Sequence, residues 1–163
     1  MGMQLPGELA DLLNDLGYTW PKSDEEKLFE LGQQWITFGS DVREVADDAD
    51  ASAQRAWTGN VGDAIEAFQK YWQDEQSASA TAHSGADGSL AVGAALIVCA
   101  AVVLALKINV IIQLVTLAIE IAEALATAVP TFGASLLEIP VFKEITNRLM
   151  QLVINEAISA ILG

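Results

Sequence analysis

The sequence predicts an all-α protein, an antiparallel four-helix bundle preceded by a short N-terminal helix. Ala and Leu, the best helix formers, are very common in a chain whose residues are 52% hydrophobic. Apolar residues also recur at spacings of three and four, as in amphipathic helices. A chain of 163 residues can bury a core. We expect these parts: 1–22, short helix and connector; 23–80, helical hairpin; 81–89, linker; 90–163, a second, strongly apolar hairpin.

Acidic residues are concentrated in the first half of the chain. Residues 1–82 hold sixteen acidic and five basic side chains, whereas residues 83–163 hold six and three. The formal net charge of −14 argues against nucleic acid as a partner, because phosphates require Lys and Arg. Residues 1–10 have neither a basic nor an apolar segment, so we expect no cleavable signal peptide. If this protein is exported, its export would need a route that does not depend on a cleavable signal peptide.

The first helix and the connector after it can be placed from local signals. Pro6 suits the first turn of a helix that reaches Leu16, and Gly17 suits the left-handed position that ends it. We expect the aromatic side chains of Tyr18 and Trp20, in the connector, to anchor this segment by docking on the body of the protein.

A heptad seam of apolar residues runs along the second predicted helix. The spacings alternate between three and four, as in helices that pack lengthwise against a partner. The seam comprises Leu28, Leu31, Trp35, Phe38, Val42, Val45, Ala49, Ser52 and Ala56. We expect it to be core, in a hairpin with a helix that begins near Asn60. The apolar hairpin of residues 90–163 would complete its burial within the same chain.

The most apolar stretch runs from Leu90 to Val129 and allows two interpretations. From Leu90 to Leu106 it holds no charge and is about as long as the shortest membrane-spanning helix. Its second part carries a polar stripe at spacings of four and three: Asn109, Gln113, Thr116, Glu120, Glu123 and Thr127. A polar stripe is unfavourable on a helix that faces lipid. We therefore favour a bundle helix that is covered by other helices on most sides and exposed to water on one side. Membrane insertion of residues 90–129 is the alternative.

The last part of the chain is expected to be one more helix. The sequence Pro130-Thr131-Phe132-Gly133 should break the apolar helix, and Pro140 can open the next. Its inward face is predicted to comprise Val141, Phe142, Ile145, Leu149, Leu152, Val153 and Ile161. The chain stops at Gly163 on an apolar run, so we expect it to be one domain of a longer polypeptide.

The sequence contains no recognisable catalytic or metal-binding motif. His83, the only histidine, falls in the predicted linker and is expected to be exposed. Asp47, Asp48 and Asp50 are interpreted as a solvated helix surface, and Cys99 as a packed thiol. We therefore expect no enzymatic activity, no cofactor and no metal site.

One short motif resembles a known family. Trp57-Thr58-Gly59, at the predicted turn between two amphipathic helices, resembles the motif of the WXG100 family, small helical hairpins exported by type VII secretion systems. The wider stretch from Leu5 through Trp20 to Asn60 resembles the WXG100-like N-terminal domains of actinobacterial polymorphic toxins. These include toxins related to the mycobacterial outer-membrane-channel and necrotising toxin.

The resemblance implies which residues serve export. Trp57 and Gly59 would form the turn motif. Tyr71 and Glu75 fit the family's Tyr-x-x-x-Asp/Glu export signal. They depart from the family in position, because they lie only a few helical turns after the Trp-x-Gly motif rather than at the end of a longer second helix.

The resemblance also implies a function and partners. The chain would be a non-enzymatic export or delivery domain of a type VII-secreted effector, cytoplasmic before export. It would be recognised by the secretion ATPase and by a small WXG100-like helical partner, as a monomer or a dimer. The alternative is a membrane-inserting or pore-forming helical protein that uses residues 90–129.

Overall fold

A computed structural model describes residues 2–162, and the regular elements assigned there are helices. They are α1 (Gly7–Asp15), α2 (Glu25–Thr58), α3 (Asp63–Trp72), α4 (Ala78–Ala126), a 3-10 helix (Ala134–Glu138) and α5 (Ile139–Leu162). The predicted fold class, an all-α helical bundle, is confirmed. Gly163, on which the expectation of a longer polypeptide rests, lies outside the described residues.

The chain divides into two compact units. The central unit comprises residues 28–98, which include most of α2, all of α3 and the first part of α4. The terminal unit comprises the described parts of residues 1–27 and 99–163, which include α1, the start of α2, the rest of α4, and α5.

Helix α4 begins earlier than the sequence predicts. Ser77 caps it, since its Oγ accepts a hydrogen bond from the N–H of Ala80 at 3.1 Å. Residues 81–89, predicted as a linker, lie inside the continuous helix, so they are not a flexible connector. The prediction of a linker is wrong because it rests only on the high content of Ser, Ala and Gly in this segment. In the central unit, these small residues allow α4 to pack closely against α2.

Small residues form the interface between α2 and α4 in the central unit. Buried positions recur every seven residues on both helices: Gly32, Gly39, Ala46 and Ala53 on α2, and Ser79, Ala86 and Gly93 on α4. A Cβ on Gly39 would lie 2.9 Å from the carbonyl oxygen of Ala86, and one on Gly32 would lie 2.8 Å from that of Gly93. These pairs run in opposite directions along the chain, so the two helices are antiparallel. Their backbones approach closely enough to exclude a side chain at either glycine.

The predicted seam of large apolar residues is not the buried face of α2. Leu31, Trp35, Phe38 and Val45 are 43%, 37%, 54% and 70% exposed. The prediction that the seam is core, covered by the apolar hairpin, is therefore wrong. Helix α2 has two apolar faces, and α4 presents small residues that match the face of glycines and alanines. The heptad pattern alone could not decide which face is buried.

The terminal unit has a core of large apolar side chains. Leu13 of α1, Val110 and Leu114 of α4, and Met150 of α5 form one buried cluster. Further Leu side chains of α1 and the connector aromatics pack around it. This cluster joins three helices that are distant in sequence.

The connector after α1 is anchored as the sequence predicts. Gly17 has a left-handed backbone with φ +85°, and its N–H donates to the carbonyl oxygen of Asn14 at 2.9 Å. The hydroxyl of Tyr18 donates to Oδ1 of Asn147 at 2.6 Å. The indole N–H of Trp20 donates to a backbone carbonyl at 3.3 Å.

Lys107 is buried in the apolar stretch and has polar, charged and aromatic partners. Its Nζ donates to the carbonyl oxygen of Ser23 and to Oε2 of Glu25, both at 2.6 Å, and lies 5.8 Å from the ring centroid of Trp20. Glu25 also accepts the N–H of Met3 at 2.5 Å. The hydrogen bonds from Lys107 and then from Met3 lower the pKa of Glu25 to about 2. A lysine can be buried here because its charge is paired.

The end of α4 and the start of α5 follow the prediction. After Ala126 the chain turns through residues with positive φ, Phe132 at 53° and Gly133 at 82°, which confirms the predicted break. Pro140 stands in the first turn of α5, where its missing N–H costs no helical hydrogen bond.

The inward face predicted for α5 is largely wrong. Thr146 and Met150 are its buried residues. Five of the seven residues expected to face inward are exposed: Val141, Ile145, Leu149, Leu152 and Ile161.

Helix α4 also presents apolar side chains to solvent. Its polar stripe is exposed or half-buried, as predicted. However, Ile108, Ile112, Val115 and Ile119 are 42%, 52%, 41% and 53% exposed, so α4 is not wrapped on most sides. Its most apolar 18-residue window has a mean hydropathy of 2.7 and is 22% buried. By length and composition alone, α4 could cross a membrane.

Candidate partner-binding surface

Trp57 lies in the last turn of α2 and attaches α3 to it. Its ring centroid is 5.7 Å from that of Phe68 in α3, which in turn is 5.6 Å from that of Trp72. Helix α3 has ten residues and α2 has 34, so α3 is too short to pair with α2 along its length. The long partner of α2 is α4, and α3 lies at the end of this pair.

Gly59 follows α2 directly and is exposed. It does not supply a left-handed turn, and a Cβ added to it would meet nothing within 4 Å. The positive φ in this turn, 129°, belongs to Gly62, the N-cap residue of α3. The side-chain amide of Asn60 donates to the carbonyl oxygen of Ala56 at 2.7 Å. Asn60 therefore closes α2 and does not open the next helix.

Tyr71 and Glu75 are separated by the end of α3. Tyr71 is 60% exposed in the last turn of this helix, which ends at Trp72. Glu75 therefore does not lie one helical turn after Tyr71. Glu75 and Trp57 line one groove of about 410 Å³, and Tyr71 does not line it.

Asp50 of α2 connects all three helices of the central unit. Its Oδ1 accepts the indole N–H of Trp72 at 2.7 Å and the hydroxyl of Ser79 at 2.5 Å. Its Oδ2 lies 2.9 Å from Nε2 of His83. The hydrogen bonds from Ser79, His83 and Trp72, in that order, lower the pKa of Asp50.

The predictions for these polar residues need correction. His83 lies inside α4, not in an exposed loop, and it is half-buried against Asp50. Asp50 is partly exposed, but it is held by hydrogen bonds to α3 and α4 rather than being only part of a solvated surface. The sequence does not reveal this contact, because the two residues are 33 positions apart and the composition around His83 predicts a linker.

An apolar groove runs along the exposed seam of α2. It has a volume of about 360 Å³, and its apolar wall comprises Phe38, Val42, Val45, Ala46, Ala49, Trp72, Ala78 and Ala82. A second hollow of about 300 Å³, lined by Leu31, Gln34 and Trp35, adjoins it at Phe38. The rings of Trp35 and Phe38 meet edge to face with centroids 6.1 Å apart. We call this surface, from Leu31 to Ala49, the α2 seam.

Acidic side chains border the α2 seam. Asp41 lines the groove itself, and Glu30 lines an adjoining hollow together with Phe38. An apolar stripe flanked by acids is complementary to an amphipathic helix with basic residues at the edges of its apolar face.

A comparison with protein families places the chain. The family model described as "WXG100 like domain" matches residues 4–149. No curated protein and no solved structure matches the chain significantly. Since the family match covers most of the 163 residues, the chain belongs to the WXG100-like family of helical, secretion-related domains.

Proposed function

We propose that this chain is a non-enzymatic export and delivery domain of a type VII-secreted effector or polymorphic toxin. Its role is recognition, by the secretion ATPase and by a small helical partner. Membership of the WXG100-like family supports the secretion role. The exposure of the α2 seam is the observation that carries the binding role.

The α2 seam has the properties of a helix-binding surface. Its large residues recur at heptad spacing, which suits a partner helix lying lengthwise against α2. Complete burial of a Leu, Val or Phe side chain contributes about 1.5–3 kcal/mol, so covering Leu31, Phe38 and Val45 would provide substantial affinity. Glu30 and Asp41 favour a partner with Lys or Arg beside its apolar stripe.

The end of the central unit that carries the family motif would contact the secretion machinery. Trp57 holds α3 in place by packing its ring against that of Phe68 in a tilted arrangement. Tyr71 and Glu75 are exposed and available to a receptor. In this proposal Trp57 acts through the position of α3, whereas Tyr71 and Glu75 contact the secretion ATPase.

A secretion assay tests the export role. Wild type and the Trp57→Ala, Tyr71→Ala and Glu75→Gln variants would be compared in a type VII-competent and a type VII-deficient strain. We expect export to require the intact system and to fall for these variants. Val61→Ala is a matched control, because Val61 lies in the same turn and is 98% exposed. Undiminished export from the deficient strain would refute the proposal.

A binding assay tests the partner surface. A small WXG100-like protein from the same source would be titrated calorimetrically into wild type and the Trp35→Ala/Phe38→Ala double variant. Loss of two aromatic anchors should weaken binding by about tenfold or more. Val61→Ala should bind as wild type does. Equal affinity of the double variant would show that the partner binds elsewhere.

A second candidate function is membrane insertion through residues 90–129. It is favoured by the hydropathy of α4, with 22% of its most apolar window buried, and by the exposed apolar residues of α5. Flotation of the purified chain with liposomes separates the candidates. An export domain that acts only through protein partners stays unbound, whereas an inserting protein floats with the vesicles.

A further inference from the structure

We propose that Asp47, Asp50 and His83 form a binding site for one divalent transition-metal ion of the zinc type. The three residues come from α2 and α4 of the central unit, and each offers a ligand atom within 4.8 Å of the others. Metal binding would be a further role of this chain, beyond the proposed export and partner binding.

The distances between the ligand atoms suit a zinc ion. Nε2 of His83 is 2.9 Å from Oδ2 of Asp50 and 3.8 Å from Oδ1 of Asp47. Tetrahedral zinc with ligands at about 2.1 Å holds neighbouring ligand atoms about 3.4 Å apart. The two observed distances lie on either side of that value. The ligand atoms of Asp47 and Asp50 lie within 4.8 Å of each other, so side-chain adjustment would bring all three atoms to coordination distance.

The ligand set selects the class of metal. An imidazole nitrogen with two carboxylates is a donor set that zinc accepts. Calcium takes six to eight oxygen ligands, and magnesium requires an octahedron of oxygen atoms. Aspartates alone would not discriminate between these cations. The imidazole nitrogen of His83 favours zinc over calcium and magnesium.

Asp50 is held in the orientation that a ligand needs. Trp72 and Ser79 both donate to Oδ1, which leaves Oδ2 directed at His83. Such outer hydrogen bonds fix the geometry of metal-binding carboxylates. Ser79 is 9% exposed and belongs to the buried small-residue face of α4, so this support is part of the helix interface.

The site is also accessible to an ion. The side chains of Asp47, Asp50 and His83 are 67%, 40% and 32% exposed. Solvent can therefore provide the fourth ligand. A bound ion would link α2 to α4 and, through Asp50 and Trp72, to α3. It would thereby stabilise the end of the central unit that carries Trp57.

The test is calorimetric titration of zinc chloride into the tag-free, full-length chain, combined with thermal melting. We expect one ion per chain and a melting temperature that rises with zinc concentration. His83→Gln and Asp47→Asn should each weaken binding by about tenfold or more, since each removes one ligand of three. Asp48→Asn is the matched control, because Asp48 is an exposed neighbour on α2 outside the cluster, and its variant should bind as wild type does.

Three outcomes would overturn the proposal. One is the absence of heat and of a melting shift up to roughly 1 mM zinc. Another is wild-type affinity in His83→Gln or Asp47→Asn. The third is an equal loss in Asp48→Asn, which would mean diffuse binding to an acidic surface. Asp47 is largely exposed, so Asp47→Asn keeps the test decisive even if His83→Gln perturbs folding.

Discussion

The two units of this protein are stabilised by opposite kinds of side chain. The central unit brings α2 and α4 together through glycine, alanine and serine, while Phe38 and Val45 remain exposed. The terminal unit buries Leu13, Leu114 and Met150 in an ordinary apolar core. In the central unit, the face that provides stability and the face available for binding are therefore different faces of one helix.

This difference changes the kind of substitution to which each unit is sensitive. A core of large residues is damaged by truncation, because truncation leaves a cavity. An interface of small residues is damaged by enlargement, because the backbones are already in contact.

The largest effect is expected in the terminal unit, at its buried ion pair. Lys107→Ala leaves the carboxylate of Glu25 without its charged partner and should lower the free energy of unfolding by about 3–5 kcal/mol. Lys143→Ala is the control, since its pair with Asp15 is exposed and should contribute at most about 1 kcal/mol. Denaturant unfolding measures both. Equal losses would show that the burial of Lys107 has no energetic importance.

The same pair predicts a dependence on pH. The pKa of Glu25 is about 2 in the folded chain, against an ordinary value of 4.5. The unfolded state therefore binds this proton first, and the stability from Glu25 is present above pH 4.5 and lost as the pH falls towards 2. The loss is on the order of 3 kcal/mol at most. Glu25→Gln should flatten this part of the pH–stability curve, whereas a curve unchanged from wild type would contradict the assignment.

In the central unit, replacing a small interface residue by a larger one should lower the stability of the fold. Gly39→Ala places a Cβ 2.9 Å from the carbonyl oxygen of Ala86 and should cost about 1–3 kcal/mol. Gly85→Ala has open space around the new Cβ and should stabilise α4 by roughly 0.5–1 kcal/mol. The two variants make the same chemical change in opposite environments. Thermal melting should show shifts of opposite sign, and shifts of one sign would refute the close approach.

Local signals in the sequence predicted much of the fold. Gly17, the break before Gly133 and the opening at Pro140 all stand where the sequence places them, because turn chemistry is short-range. The docking of Tyr18 was also predicted, since an aromatic side chain in a connector needs a packing surface.

The heptad pattern of large apolar residues does not determine which of the two apolar faces of α2 is buried. Large residues at heptad spacing predict a core face, although the glycines and alanines of α2 also recur every seven residues. That repeat, and its counterpart on α4, was the available signal. The contact between Asp50 and His83 had no local signal, since it depends on how α2 and α4 align.

The central claim is that the large residues of the α2 seam are a binding surface and not core. The direct measurement is the free energy of unfolding of the Phe38→Gln/Val45→Gln double variant of the isolated chain. Both side chains are more than half exposed, so we expect the free energy of unfolding to stay within about 0.5 kcal/mol of the wild-type value per site. A loss of several kcal/mol, of the kind that truncation of a core residue produces, would contradict it.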